Sequence, residues 1–120
     1  MDKFSLCESE YRFASIVWEN EPVSSGELVG LCNEKLGWKK STTYTVLKKL
    51  CDREIFKNEN AIVSAIVKQE QVQKFESQKF LDKTFNGSLP RFIASFMSGK
   101  KLSKTEADVL KKLIDSYKEE

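Results

Sequence analysis

The chain has 120 residues, of which 40% are hydrophobic and 32% are charged, and its formal net charge is +2. This length allows one or two small domains, and the composition is that of a globular chain rather than a disordered one. There is no His, which excludes Ser-His and Cys-His nucleophilic systems and His-ligated zinc. There is also no phosphate-cradling glycine motif, so we predict no enzymatic activity, no cofactor and no metal site.

The cysteines and the N-terminal segment indicate the compartment. Cys7, Cys32 and Cys51 are dispersed along the chain, which is typical of reduced, structural thiols. The segment MDKFSLCESE lacks the apolar run of a signal peptide, and no run approaches membrane-spanning length. We therefore expect a cytoplasmic protein.

The first half of the chain predicts three helices. Apolar residues at helical spacing predict the first over residues 8–20, and Pro22 stops it. A capping box at 24–27 opens the second helix, which Gly37 ends. The third runs from about 40 to 53, with an apolar face of Val46, Leu47, Leu50 and Cys51.

A hairpin follows the third helix. Two β-branched or aromatic runs, at 54–57 and 61–67, flank a polar turn at 58–60. Three helices followed by a two-stranded hairpin is the order of a winged helix-turn-helix. We therefore predict that residues 1–67 form a DNA-binding domain that is mainly α with a small β-hairpin wing.

The second half is helical and rich in large apolar residues. Helical patterns cover 69–86, 89–97 and 103–117, and a segment of this size rarely builds a sufficient core alone. We predict that residues 68–120 form a dimerisation module; the alternative is a single monomeric core shared with the first half. The residues expected at the dimer interface are Phe75, Leu81, Phe85, Leu89, Phe92, Ile93, Phe96, Val109, Leu110, Leu113 and Ile114.

Positive charge in the first half is concentrated around the third helix. Residues 36–57 hold six basic and two acidic side chains, a net charge of +4, and focused charge attracts a polyanion. Hydroxyls at a helix N-terminus bind phosphates and contact base edges, and lysines further along reach flanking phosphates. The pattern predicts a recognition helix that enters the major groove of double-stranded DNA by its N-terminal end. A solvated amphipathic helix is the alternative. The residues on its non-apolar faces are Ser41, Thr42, Tyr44, Thr45, Lys48 and Lys49.

Four motifs occur in an order that is characteristic of one family. They are S-E-Y-x6-W at 9–18, V-S-S-G-E-L at 23–28, L-G-W-K-K-S-T-T-Y-T-V-L-K-K-L at 36–50 and F-N-G-S-L at 85–89. The chain resembles the penicillinase/methicillin-resistance repressor family, whose relatives include copper-transport repressors. This resemblance implies a homodimeric winged-helix repressor on a dyad-symmetric operator. The copper branch ends in CxC motifs, which this chain lacks, so copper sensing is not expected.

The resemblance also implies particular DNA contacts. In the recognition helix they fall on Ser41, Thr42, Tyr44, Thr45 and Lys49. Relatives often carry a basic residue at the positions of Ser41 and Tyr44, and Lys39 and Lys40 compensate from the turn. Wing contacts fall on Lys57, Asn58 and Asn60, although this wing lacks the usual basic residues.

The resemblance further implies how repression ends. Family members are inactivated by proteolysis, which a membrane-bound β-lactam sensor with a zinc metalloprotease domain triggers. The scissile bond is commonly Asn-Phe, and the corresponding pair here is Ser95-Phe96. Two other classes of function remain open: a regulator that binds a small molecule directly through its C-terminal half, and a winged-helix protein–protein adaptor without a DNA role.

Overall fold

The computed structural model describes residues 4–119, which form six α-helices and three short β-strands. In chain order the elements are α1 (Glu8–Asn20), β1 (Val23–Ser24), α2 (Ser25–Leu36), α3 (Lys40–Asp52), β2 (Phe56–Glu59), β3 (Ile62–Ala65), α4 (Gln69–Phe85), α5 (Leu89–Met97) and α6 (Lys104–Ser116). This is the predicted class, mainly helical with a small antiparallel sheet. The chain divides into two compact units, with the boundary between Phe80 and Leu81.

Helix boundaries follow the local chemistry that the sequence indicated. Ser24 caps α2, where its hydroxyl accepts a hydrogen bond from the backbone N–H of Glu27 at 3.1 Å. Gly37 ends α2 in the left-handed conformation, with φ of 69°. At α1, the backbone N–H of Cys7 donates to the Glu10 carboxylate at 2.9 Å, which is the carboxylate half of a capping box.

The sheet differs from the predicted hairpin in two respects. It has three strands in the order β1-β3-β2. The additional strand is β1, which precedes α2 in the chain and pairs with β3 through Val23 and Val63. The hairpin turn is Asn60–Ala61, not 58–60, and both turn residues have positive φ, 53° and 63°. A two-residue turn of this kind matches the twist of the flanking strands.

The first unit has a continuous apolar core. α1, α2, α3 and the sheet contribute side chains that are at most 4% exposed, and Val72 of α4 joins them at 0%. Two hydrogen bonds join the end of α1 to β3 and the residues after it: the Trp18 indole donates to the Val67 carbonyl at 3.0 Å, and the carboxylate of Glu21, the C-cap of α1, accepts from the Ala65 N–H at 2.9 Å. This core holds α3 with one side inward.

The second unit contains α5 and α6, in which no described residue is buried. Its aromatic residues contact one another locally, with ring centroids 5.4 Å apart for Phe85 and Phe92. Ser88 and Ser103 cap the two helices by accepting hydrogen bonds from backbone N–H groups at 3.2 and 3.1 Å. The helices are therefore well defined by local capping, while their apolar faces remain exposed.

Candidate nucleic-acid interface

The first turn of α3 has backbone N–H groups without a capping side chain. Its N-cap is Lys39, which carries no side-chain oxygen, whereas α2 and α6 are capped by Ser24 and Ser103. There is also no acidic residue in this turn to offset the positive end of the helix dipole. The start of α3 therefore presents hydrogen-bond donors and positive potential together.

The side chains around that turn are exposed and basic or hydroxylated. Lys39, Lys40, Ser41 and Thr42 are all exposed, whereas the next residue, Thr43, is completely buried. Among the ion pairs formed within residues 4–119, none involves Lys39 or Lys40. The two ammonium groups and two hydroxyls thus face solvent at the helix end that the sequence predicted to enter the groove.

Two other predicted contacts already have partners in the protein. The Tyr44 hydroxyl donates to Ser25 Oγ at the start of α2, at 3.4 Å, and 37% of Tyr44 remains exposed. The Thr45 hydroxyl donates to the Ser41 carbonyl at 2.9 Å. Both side chains are accessible, but each must release or share its hydrogen bond to contact a base.

The lysines in the second half of α3 are paired with carboxylates. Lys48 Nζ lies 3.0 Å from Asp52 Oδ2, and Lys49 Nζ lies 2.9 Å from Glu10 Oε2 on α1. The first of these pairs is exposed on both sides and is worth little, whereas the Glu10 side chain is only 7% exposed. The uncompensated positive charge of α3 is consequently at its N-terminal end.

Glu10 is the centre of a buried polar network that the sequence did not reveal. Its Oε1 accepts from the Cys7 N–H at 2.9 Å and lies 3.5 Å from Arg53 Nη1; Arg53 Nη2 donates to the Ser5 carbonyl at 2.6 Å. Burial raises the pKa of Glu10, but the hydrogen bonds from Cys7 and Lys49 outweigh burial, and the net pKa is lowered. Glu10 lies three residues after the N-cap Cys7, and no sequence signal indicated that it would have a partner on another helix.

The wing offers little free positive charge. Lys57 Nζ lies 3.8 Å from Glu59 Oε1, and both side chains are largely exposed. Asn58 lies in β2, opposite Val63, and Asn60 lies in the turn. The three predicted wing residues are therefore at one edge of the sheet, with an acidic residue among them.

The residues predicted for dimerisation fall into two groups. Phe75, Leu81, Phe85 and Phe92 are half-buried. Phe75 lies in the first unit, where its ring centroid is 6.1 Å from that of Phe4. The others are exposed on α5 and α6, with exposed fractions from 40% to 66%: Leu89, Ile93, Phe96, Val109, Leu110, Leu113 and Ile114.

The predicted scissile pair lies inside α5. Ser95 and Phe96 are both exposed, with Phe96 at 54%. The ammonium of Lys100 is 3.9 Å from the centroid of the Phe96 ring, which is a close cation–π contact. A protease would need this helical segment to open before it could cut there, because a helix holds its own peptide groups in hydrogen bonds.

A helix-turn-helix followed by a small antiparallel sheet, with a lysine- and hydroxyl-bearing third helix, defines a winged helix-turn-helix protein of the DNA-binding class. The model of the penicillinase repressor family matches residues 6–116. The chain therefore belongs to the penicillinase repressor family, whose members are transcriptional repressors without enzymatic activity.

One curated relative is similar over almost the whole chain. It is the penicillinase repressor of Bacillus licheniformis, which is 17% identical over 117 residues, covering 94% of this chain and 91% of the relative. Family membership implies binding to operator DNA. No helix within residues 4–119 is long and apolar enough to span a membrane.

Proposed function

We propose that this protein is a cytoplasmic, homodimeric transcriptional repressor that binds a dyad-symmetric operator of a β-lactam-resistance operon. The observation that carries the proposal is the polarity of α3, whose N-terminal end is exposed, basic and hydroxylated while its other side is packed in the core. A dimer would present two such ends to two half-sites about one helical turn apart.

The DNA contacts that we propose come from the start of α3. Backbone N–H groups and Lys39 and Lys40 would bind phosphates, and Ser41 and Thr42 would reach base edges, where a Thr methyl suits the methyl of thymine. Lys57, Asn58 and Asn60 would touch the flanking backbone more weakly, because Glu59 lies among them. Contacts from Tyr44, Thr45, Lys48 and Lys49 remain predictions, since each side chain already has a partner.

Exposed apolar side chains on α5 and α6 support dimerisation through residues 68–120. Val109, Leu113 and Ile114 are 60%, 52% and 66% exposed, and they recur at helical spacing on one helix. Burying such a stripe against a second copy would supply the core that this segment lacks. Two-site binding would then raise operator affinity well above that of a single domain.

We also propose that proteolysis between Ser95 and Phe96 ends repression, after a membrane-bound β-lactam sensor with a metalloprotease domain is activated. The resemblance to repressors that are regulated in this way motivates the proposal. A cut within α5 would remove α6 and the exposed stripe from the DNA-binding domain, and operator affinity would fall with the loss of two-site binding.

Selection of operators from a random duplex library tests the DNA-binding proposal. The purified protein should enrich a dyad-symmetric sequence, and affinity for it should exceed that for random DNA by about 10³-fold or more. Thr42→Ala should lower operator affinity by about 1–3 kcal/mol while dimerisation is retained, and Thr105→Ala on α6 is the matched control. Equal affinity for selected and random DNA would reject the proposal, and an adaptor would be left as the interpretation.

Mass spectrometry of the repressor from β-lactam-treated cells tests the cleavage proposal. Fragments ending at Ser95 and beginning at Phe96 are expected, and Phe96→Ala should reduce their yield. The purified protein should show no shift in melting temperature with β-lactams, because the drug would bind the sensor instead. A ligand-dependent shift would favour a repressor that senses the drug directly.

A further inference from the structure

The Glu10 carboxylate forms an ion pair with a lysine of the recognition helix, α3. Glu10 is 6% exposed, its Oε2 lies 2.9 Å from Lys49 Nζ, and its other oxygen accepts from the Cys7 N–H at 2.9 Å. Lys49 itself is 61% exposed along its side chain. The ammonium is therefore drawn toward α1, although the lysine stem lies at the surface.

This pair is costly to break. Withdrawing Lys49 to a DNA phosphate would leave a buried carboxylate without its nearest cation; among the described residues, Cys7 and the more distant Arg53 guanidinium, at 3.5 Å, would still contact it. Only the Glu10 side of the pair is buried. Leaving a buried charge without its partner is destabilising, whereas a single phosphate contact at the surface returns little. The physics favours Lys49 staying on Glu10 when the protein meets DNA.

We propose that Glu10 is a specificity-determining residue of the DNA interface, because it withholds the charge of Lys49 from the phosphate backbone. This inference rests on the proposed function. Attraction to DNA then comes from Lys39 and Lys40, beside the hydroxyls of Ser41 and Thr42 that would read bases. A free lysine two turns along α3 would add affinity for any sequence and would lower the ratio of specific to random binding.

Glu10→Gln in the full chain is the test variant, and Glu8→Gln is its control. Both substitutions raise the net charge by one in the first turn of α1, but Glu8 is exposed. Affinity is measured for a selected operator and a random duplex at 50–200 mM salt. For random DNA, Glu10→Gln should steepen the slope of log K against log[salt] by about 0.9, which is one phosphate contact. The loss of preference for the operator over random DNA should be about threefold greater at 50 mM than at 200 mM salt, because one added contact changes affinity by about that factor over a fourfold salt range.

The expected difference between the two DNAs has a geometric reason. Base contacts would fix α3 in the operator complex with Lys49 on the side that faces α1, whereas on random DNA the protein can shift until a freed lysine meets a phosphate. Glu8→Gln should leave the operator preference unchanged. An equal response to the two substitutions would overturn the proposal, because net charge alone would then explain the result.

The double variant Glu10→Gln/Lys49→Met removes both partners of the pair, leaves no uncompensated buried carboxylate, and keeps the proposal testable if either single variant fails to fold. It should have the wild-type salt slope, without the slope that Glu10→Gln adds. Lys49→Met alone should also leave the salt slope at the wild-type value. A loss of about 0.9 from the wild-type slope on Lys49→Met would overturn the inference. Lys39→Met distinguishes failure of the proposed function from failure of this inference. If neither lysine substitution changes the salt slope and no operator preference is found, the proposed function fails. If both Lys39→Met and Lys49→Met lower the slope, only this inference fails.

Discussion

The two compact units differ in how far their apolar side chains are buried. In the first unit, Phe13, Leu28 and Leu50 are completely buried. In the second, Val109 and Ile114 are 60% and 66% exposed, and neither α5 nor α6 has a buried residue among those described. Both regions show helical periodicity in the sequence, so periodicity identifies an apolar face without indicating what will cover it.

The difference follows from what each unit contains. The first has helices that pack against a sheet and against each other, so its apolar faces meet within one chain. The second has short helices in about forty residues, below the size at which a single core becomes sufficient. The comparison predicts that apolar deletions act on folding in the first unit and on association in the second.

The largest effect is expected in the first unit, from Phe13→Ala. Phe13 is completely buried and stacks on Trp38, with ring centroids 5.9 Å apart and planes inclined by 8°. Loss of this side chain should lower the free energy of unfolding by about 3–5 kcal/mol, because it leaves a cavity. Urea unfolding followed by tryptophan fluorescence measures this, since both Trp residues, Trp18 and Trp38, lie in the first unit.

Phe13→Leu is the conservative comparison and should cost clearly less than Phe13→Ala. Both costs should be the same at low and high protein concentration if they arise within one chain. A loss below about 1 kcal/mol for Phe13→Ala would contradict the packing of this core, because a filled interior cannot lose an aromatic ring so cheaply.

The second prediction concerns the exposed stripe of α6. Leu113→Asp places a charge at a position that is 52% exposed in the single chain and that we expect to be covered in the dimer. The variant should be a monomer in analytical ultracentrifugation, and operator affinity should fall by about 10²- to 10⁴-fold as two-site binding is lost. The tryptophan-detected stability of the first unit should change little.

Lys111→Gln changes the net charge by the same amount on α6, at an exposed site on the side of the helix opposite Leu113. It should remain a dimer with wild-type affinity. A dimeric Leu113→Asp protein would show that α6 is not at the interface, and a large loss of stability in the first unit would show that the two regions are not independent.

The sequence predicted the ends of several helices because helix capping depends on residues that are neighbours along the chain. The hydroxyl cap at Ser24 and the end of α2 at Gly37 are found where the sequence predicted them, and Ser103 caps α6 in the same way, since each depends on residues within one turn. The exposed start of α3 was predictable for the same reason: Lys39 and Lys40 precede a run of hydroxyl residues.

Features that depend on distant pairing were missed. β1 has two residues and forms only because β3 lies beside it, so no strand pattern exists to detect. Lys49 and Glu10 are 39 residues apart in the chain. Nothing in the sequence distinguished Lys49 from the neighbouring lysines as the one that pairs with a carboxylate. Tyr44 was likewise assigned to the groove, with no indication that its hydroxyl would reach Ser25.

Tyr44→Phe tests that contact and should have a smaller effect. It removes the 3.4 Å hydrogen bond to Ser25 Oγ and leaves the ring beside Lys40, whose Nζ is 6.0 Å from the ring centroid. Stability of the first unit should fall by about 0.5–1.5 kcal/mol, and the selected operator sequence should not change. A changed sequence preference would instead assign the Tyr44 hydroxyl to base recognition. Ser25→Ala should give the same stability loss if the two hydroxyls act as a pair.

The smallest expected effect appears only in acid, and it follows from Glu10. Burial raises the pKa of this carboxyl, but hydrogen bonds from the Cys7 N–H and the Lys49 ammonium lower it by more, so the pKa in the folded protein lies below its ordinary value. A carboxyl with a lowered folded pKa stabilises the protein fully above its unfolded pKa, about 4.3, and loses that contribution as the pH falls through the folded pKa. The stability advantage of the wild type over Glu10→Gln should therefore be constant from pH 7 to about 5 and shrink below about 4. Urea unfolding at matched protein concentration and several pH values measures this. An advantage that grows in acid would reverse the sign of the linkage and show that burial, not the Lys49 ion pair, dominates this carboxylate.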